Sequence, residues 1–139
     1  MKFIPKKQKF KKQQKGKNLN KIGPLFLLNN LKFGSIGLKS INSSRLKSHQ
    51  LESIFRSIKK IIKKTGKITL KVFPQTPITK KPIEVRMGKG KGNIDHWISK
   101  INAGTIICEV ESKFIIKAKK AISLAQIRLP FKTKIIYEK

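Results

Sequence analysis

Between residues 51 and 64 the apolar positions follow a 3.6-residue period. Leu51, Ile54, Phe55, Ile58, Ile61 and Ile62 share one stripe, and Arg56, Lys59, Lys60, Lys63 and Lys64 fill most of the remainder. This spacing predicts an amphipathic helix with one face for a core and one basic face outside it. Ser48 is the expected N-cap, Glu52 suits the positive end of the helix dipole, the closing lysines suit the negative end, and Gly66 is the expected stop. The period then changes to two. Residues 67–73 alternate with Ile68, Leu70 and Val72 inward, and residues 83–87 alternate again. Pro74, Pro77 and Pro82 bar a central strand or helix between them. Residues 97–101 and 105–111 read as strands separated by a turn at Asn102-Ala103-Gly104. A second helix is expected from about 113 to 127, with Phe114, Ala118, Ala121, Ile122 and Ala125 inward. Pro130 ends it, and residues 131–137 form a last strand. Residues 33–41, with Gly34 and Gly37, read as a weaker strand with close backbone approaches. The sum is an α+β domain, two helices packed on a mainly antiparallel sheet, with no internal repeat.

The pattern fails at the N-terminus. Residues 1–22 form a polar, basic tail carrying Lys6, Lys7, Lys9, Lys11, Lys12, Lys15 and Lys17, and Gly23-Pro24 separates it from a single domain over 23–139. Such a tail buries too little apolar area to order itself and is expected to fold against a partner. Charge identifies the partner's chemistry. The chain holds 34 Lys plus Arg against 6 Asp plus Glu, a formal +28. Self-repulsion of that size calls for a polyanion, and counterion release makes nucleic acid the natural one. A membrane partner is not expected, because no apolar run approaches a bilayer-spanning length and the basic segments lack the pattern of an interfacial helix.

The sharpest local feature is the run Arg86-Met87-Gly88-Lys89-Gly90-Lys91-Gly92. Glycine at alternate positions frees the backbone for left-handed conformations and for an anion-binding nest of amides. Lys89 and Lys91 add mobile charge, and Arg86 can grip a phosphate or a base edge with two parallel hydrogen bonds. The competing reading is a hairpin loop made soluble by lysine. No nucleotide-binding signature is present: Gly66-Lys67 is followed by Ile68 and not by Ser or Thr. Enzyme chemistry finds no support, and neither a cofactor nor a metal is expected. His49 and His96 are the only histidines, neither has a cysteine or second histidine at ligand spacing, and the carboxylates are dispersed. Glu109 and Glu111 share a strand face near lysines, either paired with them or keeping that surface soluble. Cys108, the one cysteine, sits in an apolar stretch and reads as a buried small hydrophobe. Trp97 reads as a packing residue before a base-stacking one.

These residues carry a resemblance. Lys71-Val72-Phe73-Pro74, Pro77 to Pro82, Glu84 to Gly92 and Trp97 downstream resemble the bacterial and organellar large-subunit ribosomal protein sixteen (L-sixteen) family. So do the basic opening through Lys17, residues 33–39, Gln50-Leu51-Glu52 and residues 129–134, so the resemblance covers nearly the whole chain. It implies a hammerhead-like α+β core in a structural protein of the large ribosomal subunit. The implied partners are ribosomal RNA near the peptidyl-transferase centre, A-site transfer RNA and neighbouring large-subunit proteins. By position, Arg86, Lys89 and Lys91 with Gly88, Gly90 and Gly92 would be the nucleic-acid contacts, with Lys80 and Lys81 close by and the Pro74–Gly92 segment on the transfer-RNA side. The chain departs from the family's pattern at Thr69, where a tryptophan is usual, at Lys47 for a capping Thr and at Ser112 for a glycine. Residues 18–30 align poorly. Ile, Lys and Asn are abundant, and Arg45, Arg56, Arg86 and Arg128 are the only arginines. That AT-biased composition, with the divergence and without a convincing import signal, points to an organelle-encoded protein, a mitochondrial one in preference to a plastid or AT-rich bacterial one. Two other classes stay open on the residues alone: a free-standing RNA- or DNA-binding regulator, and a phosphate-transferring enzyme that would need an acid or base partner for the glycine loop.

Overall fold

The computed structural model describes residues 3–6, 8–14, 16 and 31–138. Its elements run β1 (Ile36–Ser40), β2 (Ser44–Lys47), α1 (Ser48–Ile62), β3 (Gly66–Leu70), β4 (Thr76–Lys80), β5 (Asn93–Ile101), β6 (Ile106–Ser112), α2 (Ile115–Ile127) and β7 (Thr133–Tyr137). The strands form two antiparallel sheets, one ordered β3-β6-β1-β7 and one ordered β2-β5-β4. The helices pack on each other and on the four-stranded sheet. The expected α+β class is what the chain adopts, with its sheet divided in two.

The periodicities explain the packing. Leu51, Ile54, Ile58 and Ile62 of α1 are buried on one stripe, against Ala118, Ala121, Ile122 and Ala125 of α2 and Ile36, Leu38 and Val110 of the central strands. Three alanines on the inner face of α2 let that helix sit close to its neighbours. Leu46 and Ile101 bring the three-stranded sheet into the same core. Each fully buried Ile or Leu contributes about 1.5–3 kcal/mol over its exposed state, so this shared cluster is what joins the two sheets.

Several local expectations are corrected. Lys47, not Ser48, is the N-cap, and its backbone N–H donates to Gln50 Oε1 at 3.0 Å. A lysine side chain offers no acceptor, so Gln50 alone provides the capping side chain. Glu52 lies beyond the first turn and pairs with Arg56 at 2.8 Å. The helix stops at Ile62, with Lys63 at φ +51°, and Gly66 already opens β3. Residues 83–87 are not a strand: Ile83 is 96% and Met87 100% exposed, because no neighbouring strand accepts their backbone groups. Phe114 caps α2 from outside and is exposed. The bar on a central strand at the prolines holds, since Pro77 lies in β4, an edge strand where a missing N–H is tolerated.

The turn expected at Asn102-Ala103-Gly104 does separate two strands, β5 and β6, and these belong to different sheets. This connector crosses from one sheet to the other, as does the 40–44 connector between β1 and β2. The two are tied together: Gly104 N–H donates to Ser40 O at 2.8 Å, Ser40 N–H to Thr105 O at 2.9 Å, and Ala103 N–H to Ser43 Oγ at 3.2 Å. Gly34 confirms a close approach, since a Cβ there would meet the Val110 backbone at under 3.0 Å. It lets residues 31–35 lie flat on β6.

Candidate nucleic-acid interface

The glycine-lysine loop leaves the three-stranded sheet at its β4–β5 end, as a long excursion between Lys80 and Asn93. Its base is narrow: a Cβ on Gly92 would meet the Lys80 carbonyl, so only glycine lets the two arms come this close. Its tip is wide and open. Gly88, Lys89 and Gly90 all have positive φ, at +105°, +53° and +76°, and nothing crowds either glycine. Three consecutive residues of this kind turn the chain sharply and direct Lys89 outward. Val85 N–H donates to Pro82 O at 3.3 Å, and the Lys81 ammonium donates to Gly88 O, which ties the tip back to its own arm.

Arg86, Lys89 and Lys91 are exposed, as is Lys80, while Lys81 is half-buried. Of the expected site residues, those between Lys80 and Gly92 therefore lie on one excursion of the chain. They differ in availability. Arg86 and Lys89 make no hydrogen bond or ion pair among the described residues, so their donors face solvent. Lys91 is engaged with the tail: its ammonium donates to Gln13 O at 2.5 Å, and Lys12 Nζ donates to Lys91 O at 2.8 Å.

This clasp belongs to a longer track. Phe3 packs edge-on against Phe55 of α1 with ring centroids 6.3 Å apart, and Gln8 Nε2 donates to Gln75 O at 2.8 Å. Further on, Arg45 donates to Gly16 O at 3.0 Å. The tail was expected to gain order only against a partner, yet its described residues lie along the domain from α1 past the loop to β2. Lys6, Lys9, Lys11 and Lys12 are exposed on that track. Lys7, Lys15 and Lys17, the Gly23-Pro24 boundary and the apolar run 25–28 lie outside the described residues.

Arg45 is the contributor that sequence reasoning missed. It pairs across β2–β5 with Lys100, placing two cations on one face beside Gly16. The signal was an alternation only four residues long, Ser44 to Lys47 with Leu46 inward. Asp95 is the acidic exception on this sheet. The β4–β5 register slips so that Asp95 is the extra residue, and its carboxylate sits 2.8 Å from His96 Nδ1. That hydrogen bond, with His96, Lys80 and Lys47 as nearby charges, holds its pKa below the usual carboxylate value. Trp97 is half-buried opposite the buried Pro77, a packing position.

The remaining chemistry is inert. Cys108 is fully buried, and burial, with the neighbouring Glu109 charge, pushes its pKa up to about 12. Of the two glutamates on β6, Glu109 is buried and paired with Lys71, while Glu111 is exposed opposite Lys67. Among the described residues no cluster of three potential metal ligands occurs, and no helix is long and apolar enough to cross a membrane.

Comparison with known proteins assigns the sequence to a family. The ribosomal protein L16p/L10e family matches residues 5–136. Large ribosomal subunit protein uL16 of Buchnera aphidicola subsp. Baizongia pistaciae is 46% identical over 132 residues, covering 95% of this chain and 94% of that one. The protein of the same name from Wigglesworthia glossinidia brevipalpis is 45% identical with the same coverage. That of Dichelobacter nodosus is 42% identical over 137 residues, 97% and 96% of the two chains. By these matches along its length, the chain belongs to the ribosomal protein L16p/L10e family, whose members are structural components of ribosomes and not enzymes.

Proposed function

We propose that this chain is a structural constituent of the large ribosomal subunit that binds ribosomal RNA near the peptidyl-transferase centre and supports the positioning of A-site transfer RNA. The observation that carries this reading is the Arg86–Gly92 projection, where the arginine and Lys89 stand unpaired on a backbone bent by Gly88 and Gly90. Such a group neutralises phosphates and fits a shape, while the RNA performs the chemistry. In this assignment Arg86 and Lys89 meet nucleic acid from the tip, with Gly88, Gly90 and Gly92 setting the loop's shape. Lys80, Lys81 and Lys91 support it from the arms. The tail lysines Lys6, Lys9, Lys11 and Lys12, with Lys7, Lys15 and Lys17, follow ribosomal RNA as a basic arm to the 23–139 domain.

The test is a cryo-electron microscopy map of large subunits purified through high salt from the source cells. Density for this chain beside the peptidyl-transferase centre with residues 86–92 towards the A site supports the reading. Complete subunits without it return the chain to the free RNA-binding regulator, which high salt would strip from ribosomes. Membership of a mitochondrial ribosome, with an organelle-encoded gene, rests on the Ile-, Lys- and Asn-rich composition and the departures from the family's pattern, whereas the relatives named above are bacterial. Mapping the coding gene to an organelle or a bacterial chromosome decides it.

A further inference from the structure

We infer that the outer face of α2, where it meets the end of α1, is a docking groove for an acidic, apolar segment of a neighbouring protein of the large subunit. The inference rests on the ribosomal reading above. It concerns a face that neither the glycine-lysine loop nor the described tail residues line.

Helix α2 is apolar on both sides. Its inner face fills the core with Ala118, Ala121, Ile122 and Ala125, yet Ile116 is 85% and Ile127 80% exposed, and Leu124 is exposed between them. Leu124 and Ile127 are neighbours one turn apart and form a short apolar ridge, while Ile116 stands two turns back beyond Lys120. The ridge ends in a groove of about 470 Å³, floored by Ile61, Leu124 and Ile127 and edged by Ser57, Lys60 and Arg128. The one hydroxyl in it is occupied, since Ser57 Oγ donates to Ile54 O at 2.9 Å. A concave, mainly apolar site of this volume is the usual form of a binding groove.

Charge selects the occupant. The groove holds no carboxylate, and its two charged groups are cations. Arg128 lines the groove and is held across the helix pair by a 3.0 Å hydrogen bond from Nη1 to Ser53 Oγ, with no partner for its other donors among the described residues. An apolar floor with a fixed guanidinium at one end suits aliphatic or aromatic side chains followed by a carboxylate. RNA suits it poorly: a sugar-phosphate backbone laid on Ile127 and Leu124 would lose water without gaining partners.

The experiment places a genetically encoded benzophenone amino acid at position 127 of the full chain in its own cells. Large subunits are then purified through high salt, irradiated, and the crosslinked product is identified. Because Ile127 is exposed, the replacement leaves the core untouched. The expected product joins this chain to one large-subunit protein at a peptide with apolar residues beside Asp or Glu. Arg128→Glu in the same chain lowers its yield about tenfold. The same photoreactive group at Lys132 gives no such product. Crosslinks to ribosomal RNA or to a second copy, no crosslink in subunits that contain the chain, or an unchanged yield with Arg128→Glu overturns the inference while the ribosomal reading stands. A wild-type chain that fails to sediment with large subunits overturns both.

Discussion

Glu109 of β6 and Lys71, just past β3, form an ion pair at 3.3 Å beneath residues 31–33. The Glu109 side chain is 1% exposed and that of Lys71 24%. Glu109 Oε2 accepts the backbone N–H groups of Lys32 and Phe33 at 3.2 and 2.7 Å, while Oε1 has only the ammonium as a charge partner. Lys71 Nζ also lies 4.2 Å from the centre of the Phe33 ring. One carboxylate thus fixes the segment that leads into β1.

Glu109→Ala removes the acceptor from two backbone donors and a partner from Lys71. Breaking a buried pair from one side is costly, but Lys71 still reaches water, so the loss is expected at the lower end, about 3 kcal/mol. Urea denaturation at moderate salt measures it. Glu109→Gln, which keeps an acceptor for Phe33, should lose less.

Arg86→Ala and Lys89→Ala should leave stability unchanged within about 0.5 kcal/mol, because both side chains are exposed and unpaired. Each should weaken binding to large-subunit ribosomal RNA and reduce the slope of log affinity against log salt by about one. Gly90→Val tests shape separately. It forces a β-branched residue to φ +76°, so it should weaken RNA binding while every positive charge is kept. Filter binding across a salt series reads all three.

Lys12→Ala breaks half of the reciprocal clasp with Lys91 and leaves the core alone. Amide hydrogen exchange should rise in residues 86–92 and stay unchanged in β6. Equal exchange in the wild type and the variant would show that the tail does not steady the loop.

Cys108 gives a pH test. Its folded pKa, about 12, lies above its ordinary value near 9.0, so folding favours the neutral thiol. Its contribution is complete below pH 9 and is lost as pH rises towards 12, because only the unfolded chain ionises in that window. The stability of wild type minus that of Cys108→Ala should therefore decline over this range. Alkylation at pH 8 should fail on the native protein and succeed in denaturant.

Both helices and most strands were legible because their apolar residues repeat with the period of the element. Leu51 to Ile62 and Ile68 to Leu70 needed no knowledge of what they pack against. The false strand at 83–87 shows the limit: alternation gives a strand only where another strand offers hydrogen bonds, and Pro82 with three following glycines keeps that segment apart. The splitting of the sheet was hidden because pairing of β5 with β2 and β4, and of β6 with β1 and β3, depends on contacts far apart in the chain. The loop was legible as composition. Its clasp to Gln13 and the role of Arg45 were not, since polar tail residues carry no periodicity that records where they lie.

The tied crossovers at 40–44 and 101–106 give the molecule a mechanical character. Ser40, Ser43, Ala103 and Gly104 form a welded joint between the sheet that carries the loop and the sheet that carries the helices. A load that reaches the three-stranded sheet at this corner passes through these bonds into the sheet that carries the helices. If the groove beside α2 is anchored at the other end, the protein acts as a strut that holds whatever its loop touches at a set height above its mounting.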